Sequence, residues 1–246
     1  MSRDLADTTS RVTYERFLEF ERLMRGYPAS RHQPYNASPI GFCAFALTLF
    51  VYSMYMAGAT VPISTPPHIA MGLALFYGGL IQFLAGLFEL RLGNNFNALI
   101  FCSYAGYWFG LGAIYASTFN FLGGVTDTSV QYKALGVFYL GWTIFTLAML
   151  IASIRTNVAL ILFFFFLMVT YMLFTASYFL LWDQNLSRAG GAVGIFTAAI
   201  AWYAGFASLM IKGNNAYFDL PVFALSPQSQ VVLTGGSAAE VHAQKI

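Results

Sequence analysis

Residues 72–109, GLALFYGGLIQFLAGLFELRLGNNFNALIFCSYAGYWF, are apolar enough to cross a membrane twice, and they carry glycine at Gly72, Gly79, Gly86 and Gly93. A seven-residue step falls about 20° short of two full helical turns, so this spacing predicts one nearly straight stripe without side chains. In lipid, helices gain little from hydrophobicity against one another, and small residues let their backbones approach closely. Gln82 and Glu89, also seven apart, add a thin polar line to the same helix. A helix bearing both lines predicts the wall of a pore or carrier rather than a simple anchor.

The rest of the chain points the same way. Of its 246 residues, 58% are apolar and 9% charged, against about 25% charged in an average soluble domain. Six apolar runs, at residues 40–61, 69–90, 98–121, 133–154, 158–182 and 189–211, pass the threshold of about 18 residues for a spanning helix. The expected fold is an all-α membrane protein, a six-transmembrane-helix bundle. Residues 1–35 are expected to form an N-terminal arm, 36–223 the six-helix domain and 224–246 a flexible tail. In the arm, Phe17, Phe20, Met24 and Tyr27 recur at helical spacing, which suits either an amphipathic helix on the membrane surface or a partly ordered segment. The arm is dense in charge and lacks an apolar signal-peptide core, so the first spanning helix is expected to direct insertion.

Of the 12 Lys and Arg residues, six lie in the arm, and Arg91, Arg155, Lys212 and Lys245 lie in segments on the same side; only Lys133 and Arg188 are opposite. The positive-inside rule then places both termini in the cytoplasm. The net charge of +2 therefore marks a membrane face and carries no implication of nucleic-acid binding. Cys43 and Cys102 fall inside predicted helices and read as buried, inert thiols.

The interior chemistry is defined by what it lacks. No Asp, Glu, Lys, Arg or His stands at mid-depth in any predicted helix; Glu89, Lys133 and Asp183 lie near helix ends. Intramembrane ionisable residues mark proton relays, ion sites and voltage sensors, so a cation pump or carboxylate-based proton carrier is not expected. No nucleophile and base pair, zinc-ligand spacing or phosphate loop appears, which argues against an enzyme and calls for no cofactor and no metal. His68, closing the proline-rich loop 60–68, reads as a helix-entry residue. The remaining interior polarity is hydroxyl, amide and aromatic: Thr48, Ser53 and Tyr55 in the first helix, Gln82 in the second, Ser103 and Tyr104 in the third. Such groups either bond a small uncharged or weakly acidic solute or bond neighbouring backbones as structural glue. Small residues at Gly106 and Gly110, and at Gly190, Gly194, Ala198, Ala201 and Gly205, predict close bundling and an oligomer.

The run FYGGLIQFLAGLFELRLGNNF and the SYAGYW segment after it resemble the acetate uptake transporter family, which includes the bacterial succinate/acetate permeases and the fungal Gpr1/Fun34/Ato proteins. Phe76, Tyr77, Gly78, Gly79, Gln82, Ala85, Gly86, Glu89, Gly93, Asn94 and Phe96 supply the family pattern. Its entry motif is partly kept as Asn36, Ala37, Ser38, Pro39, Ile40 and Gly41, and AYFDLPVF at 216–223 is similar to the F-x-L-P element of fungal members. The charged arm resembles the fungal branch. The resemblance implies a hexamer with both termini inside, one substrate path per protomer, and transport of acetate and similar monocarboxylates linked to protons, with succinate accepted by some members and ammonia export associated with fungal ones. It further implies a constriction of Phe45, Tyr104 and Leu167, approached past Thr48, Ser53, Gln82 and Ser103. Bacterial members carry Asn and His where this chain has Ser53, Tyr55 and Met56, which shifts the expected substrate preference. A plasma-membrane acetate transporter in contact with the bilayer is the leading expectation; an ammonia channel, or an acetate sensor or scaffold with little transport, are the alternatives.

Overall fold

Backbone N–H and C=O groups find no water inside a bilayer, so an apolar run crosses one only as a helix or within a closed barrel. The computed structural model, which describes residues 16, 36–121, 123–210 and 215–225, takes the helical solution six times. Helix α1 spans Ser38–Ala57, α2 His68–Arg91, α3 Asn95–Tyr115, α4 Thr128–Ser153, α5 Val158–Phe179 and α6 Gln184–Leu209. All six are long and apolar enough to cross a membrane, and the chain is a multi-pass integral membrane protein. The segment 13–27, apart from Arg16, and the tail beyond residue 225 lie outside the described residues.

Local chemistry sets the helix ends. Pro39 occupies the first turn of α1, where its missing N–H would have had no partner. The side chains of Asn94, Asp127, Asn157 and Asp183 cap α3, α4, α5 and α6, each accepting from an N–H of the first turn that the helix cannot satisfy. Beyond α2, Gly93 takes φ +79°, which lets the Asn94 N–H return to the Glu89 carbonyl at 2.9 Å. A Cβ would strain that left-handed turn.

Helix α2 is not a uniform α-helix: residues Phe76–Ile81 form a π-helical turn. An inserted residue of this kind rotates the remainder of the helix by about 100° relative to a continuous α-helix. The glycines at seven-residue intervals consequently do not form one packing stripe. Gly79 and Gly86 are buried against α3, where a Cβ would press on Phe109 and Cys102, whereas Gly72 faces open space and Gly93 lies past the helix.

Helix α1 packs along α6 and also meets α2; α2 packs on α3, α4 on α5, and α5 on α6. Close approach of α1 and α6 depends on small residues, since a methyl group at Gly191 or Gly194 would overlap Ala57 or Ser53. Helices α3 and α4 are bridged by side chains, including Tyr107 on Phe138 at 5.7 Å and Tyr104 on Trp142 at 5.9 Å between ring centroids. The centre is filled with aromatic rings in edge-to-face and offset contacts, the arrangement their quadrupoles favour. After α6 the chain returns at residues 215–225, where Ala224 pairs with Asn157 and the Tyr203 hydroxyl donates to the Pro221 carbonyl at 2.6 Å.

Candidate functional site

At one end of the bundle the entry motif of α1 meets the last turn of α2 and the first turn of α3. Glu89 is fully buried there. Its Oε1 accepts from the Ala37 N–H at 3.0 Å and the Ser38 hydroxyl at 2.9 Å, and its Oε2 accepts from the Asn94 amide at 2.8 Å. The Asn97 amide in turn donates to Ser38 Oγ at 2.7 Å, while Asn36 receives the Ser38 N–H at 2.9 Å and donates to the Ser208 carbonyl at 3.2 Å. The bonds from Ala37 and Ser38 thus tie the first residues of α1 to Glu89, the bond from Asn94 fixes the α2–α3 corner, and α6 joins through Ser208. Gly41 fits the same corner, since a Cβ there would stand 2.6 Å from the Phe101 ring.

Two to three turns along from this knot, three helices converge through buried rings. The Phe45 and Tyr104 centroids are 5.4 Å apart at an edge-to-face angle of 66°, and Phe163 sits 5.3 Å from Phe45. The Tyr104 hydroxyl bonds Thr146 at 2.9 Å. Leu167 is fully buried. It lies one turn beyond Phe163 and Phe164, which contact Phe45 and Tyr104 respectively, and belongs to the same apolar cluster as both. Phe45, Tyr104 and Leu167 are thereby gathered in the centre of the bundle.

Polar atoms flank this plug. Thr48, Ser53 and Gln82 are fully buried. Thr48 donates to the Ala44 carbonyl at 2.8 Å, so part of its hydroxyl serves its own helix. The Gln82 amide, both its nitrogen and its oxygen, the Ser53 hydroxyl and the Trp108 N–H hold no hydrogen bond to the described residues. Gly78 explains how these groups come together: a Cβ there would lie 2.7 Å from Trp108 Cδ1 and 2.8 Å from Thr48 Oγ1, and Gln82 comes one turn later. A residue with any side chain at position 78 would displace the polar pair. Among the described residues the buried polar set is otherwise hydroxyl and amide, with Glu89 its one charged member.

The sequence-derived candidates separate into groups. Asn36, Pro39, Gly41, Glu89 and Asn94 meet in the knot, and Gly93 shapes its turn. Gly78 seats Thr48 and Trp108, while Gly79 and Gly86 seat α3. Phe96 stands 6.3 Å from Phe164. Phe76, by contrast, is 69% exposed and Tyr77 is half-buried. Ser103 is turned away from the plug: it lies on the outward arc of α3 with Leu99 and Gly106, because the buried face of α3 runs through Ile100, Tyr104, Tyr107, Trp108 and Leu111. Ser38, Tyr107 and Trp108 entered the sequence reading only within quoted motifs and without a role, and Asn97 and Tyr171 were passed over. A signal for Tyr107, Trp108 and Tyr171 was available, since Tyr104, Tyr107, Trp108 and Leu111 keep helical spacing, as do Leu167, Tyr171, Phe174 and Tyr178.

Comparison with known proteins converges on one group. The model of the GPR1/FUN34/yaaH family matches residues 21–227. The chain is 37% identical to ammonia transport outward protein 2 of Saccharomyces cerevisiae, over 83% of this chain and 71% of that protein. It is 37% identical to acetate permease A of Emericella nidulans, over 78% of this chain and 67% of that one. Among solved structures it resembles the bacterial acetate channel SatP, with a TM-score of 0.66 and 27% identity, covering 76% of this chain and 98% of the channel.

Proposed function

The chain belongs to the GPR1/FUN34/yaaH family, and on that premise we propose that it is a transporter or channel for acetate and related short monocarboxylates, linked to protons. One observation carries the reading: the bundle centre is closed by packed rings and flanked by neutral donors and acceptors, and among the described residues the single buried carboxylate lies at one end. An anion entering such a lumen meets no fixed counter-charge, and isolated charge in a low-dielectric interior is very costly. A neutral acid, or an anion accompanied by its proton, avoids that cost.

In this reading Phe45, Tyr104 and Leu167 strip water from the solute, and Thr48, Ser53 and Gln82 replace part of its hydration. Gln82 suits the task because an amide presents donors and an acceptor together. Glu89 holds the entry motif through its bonds from Ala37 and Ser38 and stays a positioning residue. The excess of Lys and Arg on one side supports cytoplasmic termini, a plasma-membrane site fits a solute taken from outside, and the small-residue faces suit a homo-hexamer with one path in each protomer.

A second reading is favoured by the similarity to the ammonia transport outward protein: the same uncharged lumen would pass ammonia. Uptake of labelled acetate and of methylammonium into proteoliposomes separates the two. Acetate flux above that of protein-free vesicles, lost or altered in selectivity on Phe45→Ala, supports the main reading. Methylammonium flux without acetate flux replaces it, and an inert purified protein removes both.

A further inference from the structure

The AYFDLPVF element at residues 216–223 has no part in the constriction or the knot, yet it is fastened to the bundle. It lies at the end that holds Glu89, where α6 finishes and Asn36 bonds the Ser208 carbonyl. The Tyr203 hydroxyl donates to the Pro221 carbonyl at 2.6 Å. The Val158 N–H, which the first turn of α5 cannot satisfy, donates to the Phe223 carbonyl at 3.2 Å, and the Leu225 N–H donates to the Thr156 carbonyl at 2.9 Å. Val222 packs on the central apolar cluster. Its neighbours turn the other way: Tyr217 is 97% and Phe223 67% exposed, and Phe218 and Leu225 are exposed as well. Residues 215–225 contain Asp219 and no Lys or Arg.

The helices beneath the strap show what its outward side chains meet. Tyr203 shares the outer arc of α6 with Phe196, Ala199 and Phe206, all three exposed. On α4 the exposed residues Ile144, Leu147, Ile151 and Ile154 form a stripe at helical spacing that ends two residues before Thr156. In a multi-pass membrane protein these apolar flanks face lipid, and the strap continues them. It cannot lie deep in the hydrocarbon, because non-helical backbone exposed to lipid finds no hydrogen-bond partners there. The headgroup–acyl boundary offers water to the backbone and apolar tails to the rings, and aromatic side chains collect at that depth.

Backbone geometry at Phe223 points the same way. Its φ of +51° lies in the left-handed region, which an aromatic residue rarely occupies. Glycine would offer the same carbonyl to Val158 without strain, so the backbone bond alone does not account for a ring at this position. The exposed row of Tyr217, Phe218, Phe223 and Leu225 falls short of the roughly 20–30 residues a side of a stable protein interface, which favours lipid over a second copy of the chain. With no Lys or Arg in the strap, attraction to anionic headgroups is not required. We propose that residues 217–225 are an interfacial anchor: they lie along the headgroup–acyl boundary of the leaflet at the Glu89 end, set their rings among zwitterionic phospholipids, and clasp the α4–α5 turn and the first turn of α5 to the membrane surface. The bilayer thereby bears directly on the helix that carries Leu167.

The test uses the full chain with Cys43→Ala and Cys102→Ala, a nitroxide label on a single cysteine introduced by Tyr217→Cys or Leu225→Cys, and vesicles of phosphatidylcholine alone. Both positions are exposed, so the label displaces no packed side chain. Collision of the label with oxygen, which concentrates in lipid, is compared with collision with a water-soluble nickel chelate. Phe165→Cys on the exposed flank of α5 and Gly124→Cys in the exposed α3–α4 loop supply the lipid and water references. Both strap labels are expected to meet oxygen more often than chelate, at a shallower depth than the label at position 165. Adding Phe218→Ser and Phe223→Ser to the Leu225→Cys chain is expected to shift its label toward the chelate. Strap labels that meet the chelate as freely as the label at position 124 overturn the anchor. So do labels shielded from both reagents and broadened by spin–spin contact, the signature of a second copy covering the strap, and so does an unchanged collision ratio in the double-serine chain.

Discussion

Replacing Glu89 distinguishes a residue that organises the helix ends from one that carries protons. The carboxylate receives three hydrogen bonds, from the Ala37 N–H, the Ser38 hydroxyl and the Asn94 amide. In Glu89→Ala, Ser38 can rotate its hydroxyl, but the Ala37 N–H cannot follow. The loss of its acceptor costs about 2 kcal/mol, within the roughly 1–3 kcal/mol of a donor left without a partner. Glu89→Gln keeps one oxygen for Ala37 and Ser38, yet turns an NH₂ group toward the NH₂ of Asn94. Asn94 relieves that clash only by surrendering its Oδ1 cap on the Asn97 N–H, a loss of about 1 kcal/mol. For a chain of this size roughly 3 °C accompanies each kcal/mol, so the expected drops in melting temperature are about 6 °C for Glu89→Ala and about 3 °C for Glu89→Gln. Melting in detergent, with size-exclusion of the surviving fraction, reads the stability. Acetate uptake driven by a pH gradient, normalised to folded protein, reads the transport. Glu89→Ala melting within about 2 °C of wild type would refute the knot. Glu89→Gln melting normally but losing only the response to the pH gradient would turn Glu89 into a proton carrier.

Gly78→Ala places a methyl group 2.7 Å from Trp108 Cδ1 and 2.8 Å from Thr48 Oγ1; overpacking of this kind costs about 1–3 kcal/mol, and acetate flux is expected to fall along with the melting temperature, while Gly72→Ala, with open space around it, leaves both at wild-type values. Leu167→Ala is expected to destabilise by about 3 kcal/mol, as for other buried leucines, and to raise uptake of propionate and lactate relative to acetate, measured by competition in proteoliposomes. At the start of α4, hydrogen bonds from Ser129 hold the Asp127 carboxyl below its ordinary range. A depressed carboxylate stabilises the fold above its unfolded-state pKa and loses that contribution as pH falls through the lower folded value, so Asp127→Asn is expected to flatten the acid limb of a melting-temperature profile between about pH 5 and 3.

The fold was legible because its information is compositional: six apolar runs leave a helical bundle as the economical solution, whereas the caps Asp127 and Asp183 start α4 and α6 five residues ahead of the expected bounds at 133 and 189. The knot was half legible. Asn36, Glu89 and Asn94 stood out as motif residues, but Ser38 and Asn97 sit in ordinary polar contexts, and nothing local says that α1 and α3 start beside one another. The glycine stripe misled for a definite reason. Seven-residue periodicity assumes an unbroken helix, and the π turn at Phe76–Ile81 is a tertiary feature that the run FYGGLI does not announce. Ser103 was misplaced for a related reason: a polar residue in an apolar helix reads as lining, whereas the facing of α3 is decided by its larger rings at Tyr104, Tyr107 and Trp108.

Acid chemistry links this interior to its driving force. A carboxyl like that of Glu has a pKa of about 4.3, so about one tenth of such an acid is neutral at pH 5.3 and about one thousandth at pH 7.3. A lumen that passes only the neutral form therefore loses close to tenfold in flux for each pH unit above the pKa at fixed total acetate. A lumen that also holds the anion, through donors such as the Gln82 amide, decouples occupancy from the neutral fraction, and its flux declines far less steeply. The slope of initial uptake against external pH thus reports which species the rings admit. Gln82→Leu should steepen that slope toward the tenfold limit, since a path with fewer donors depends more heavily on the proton that the acid brings with it.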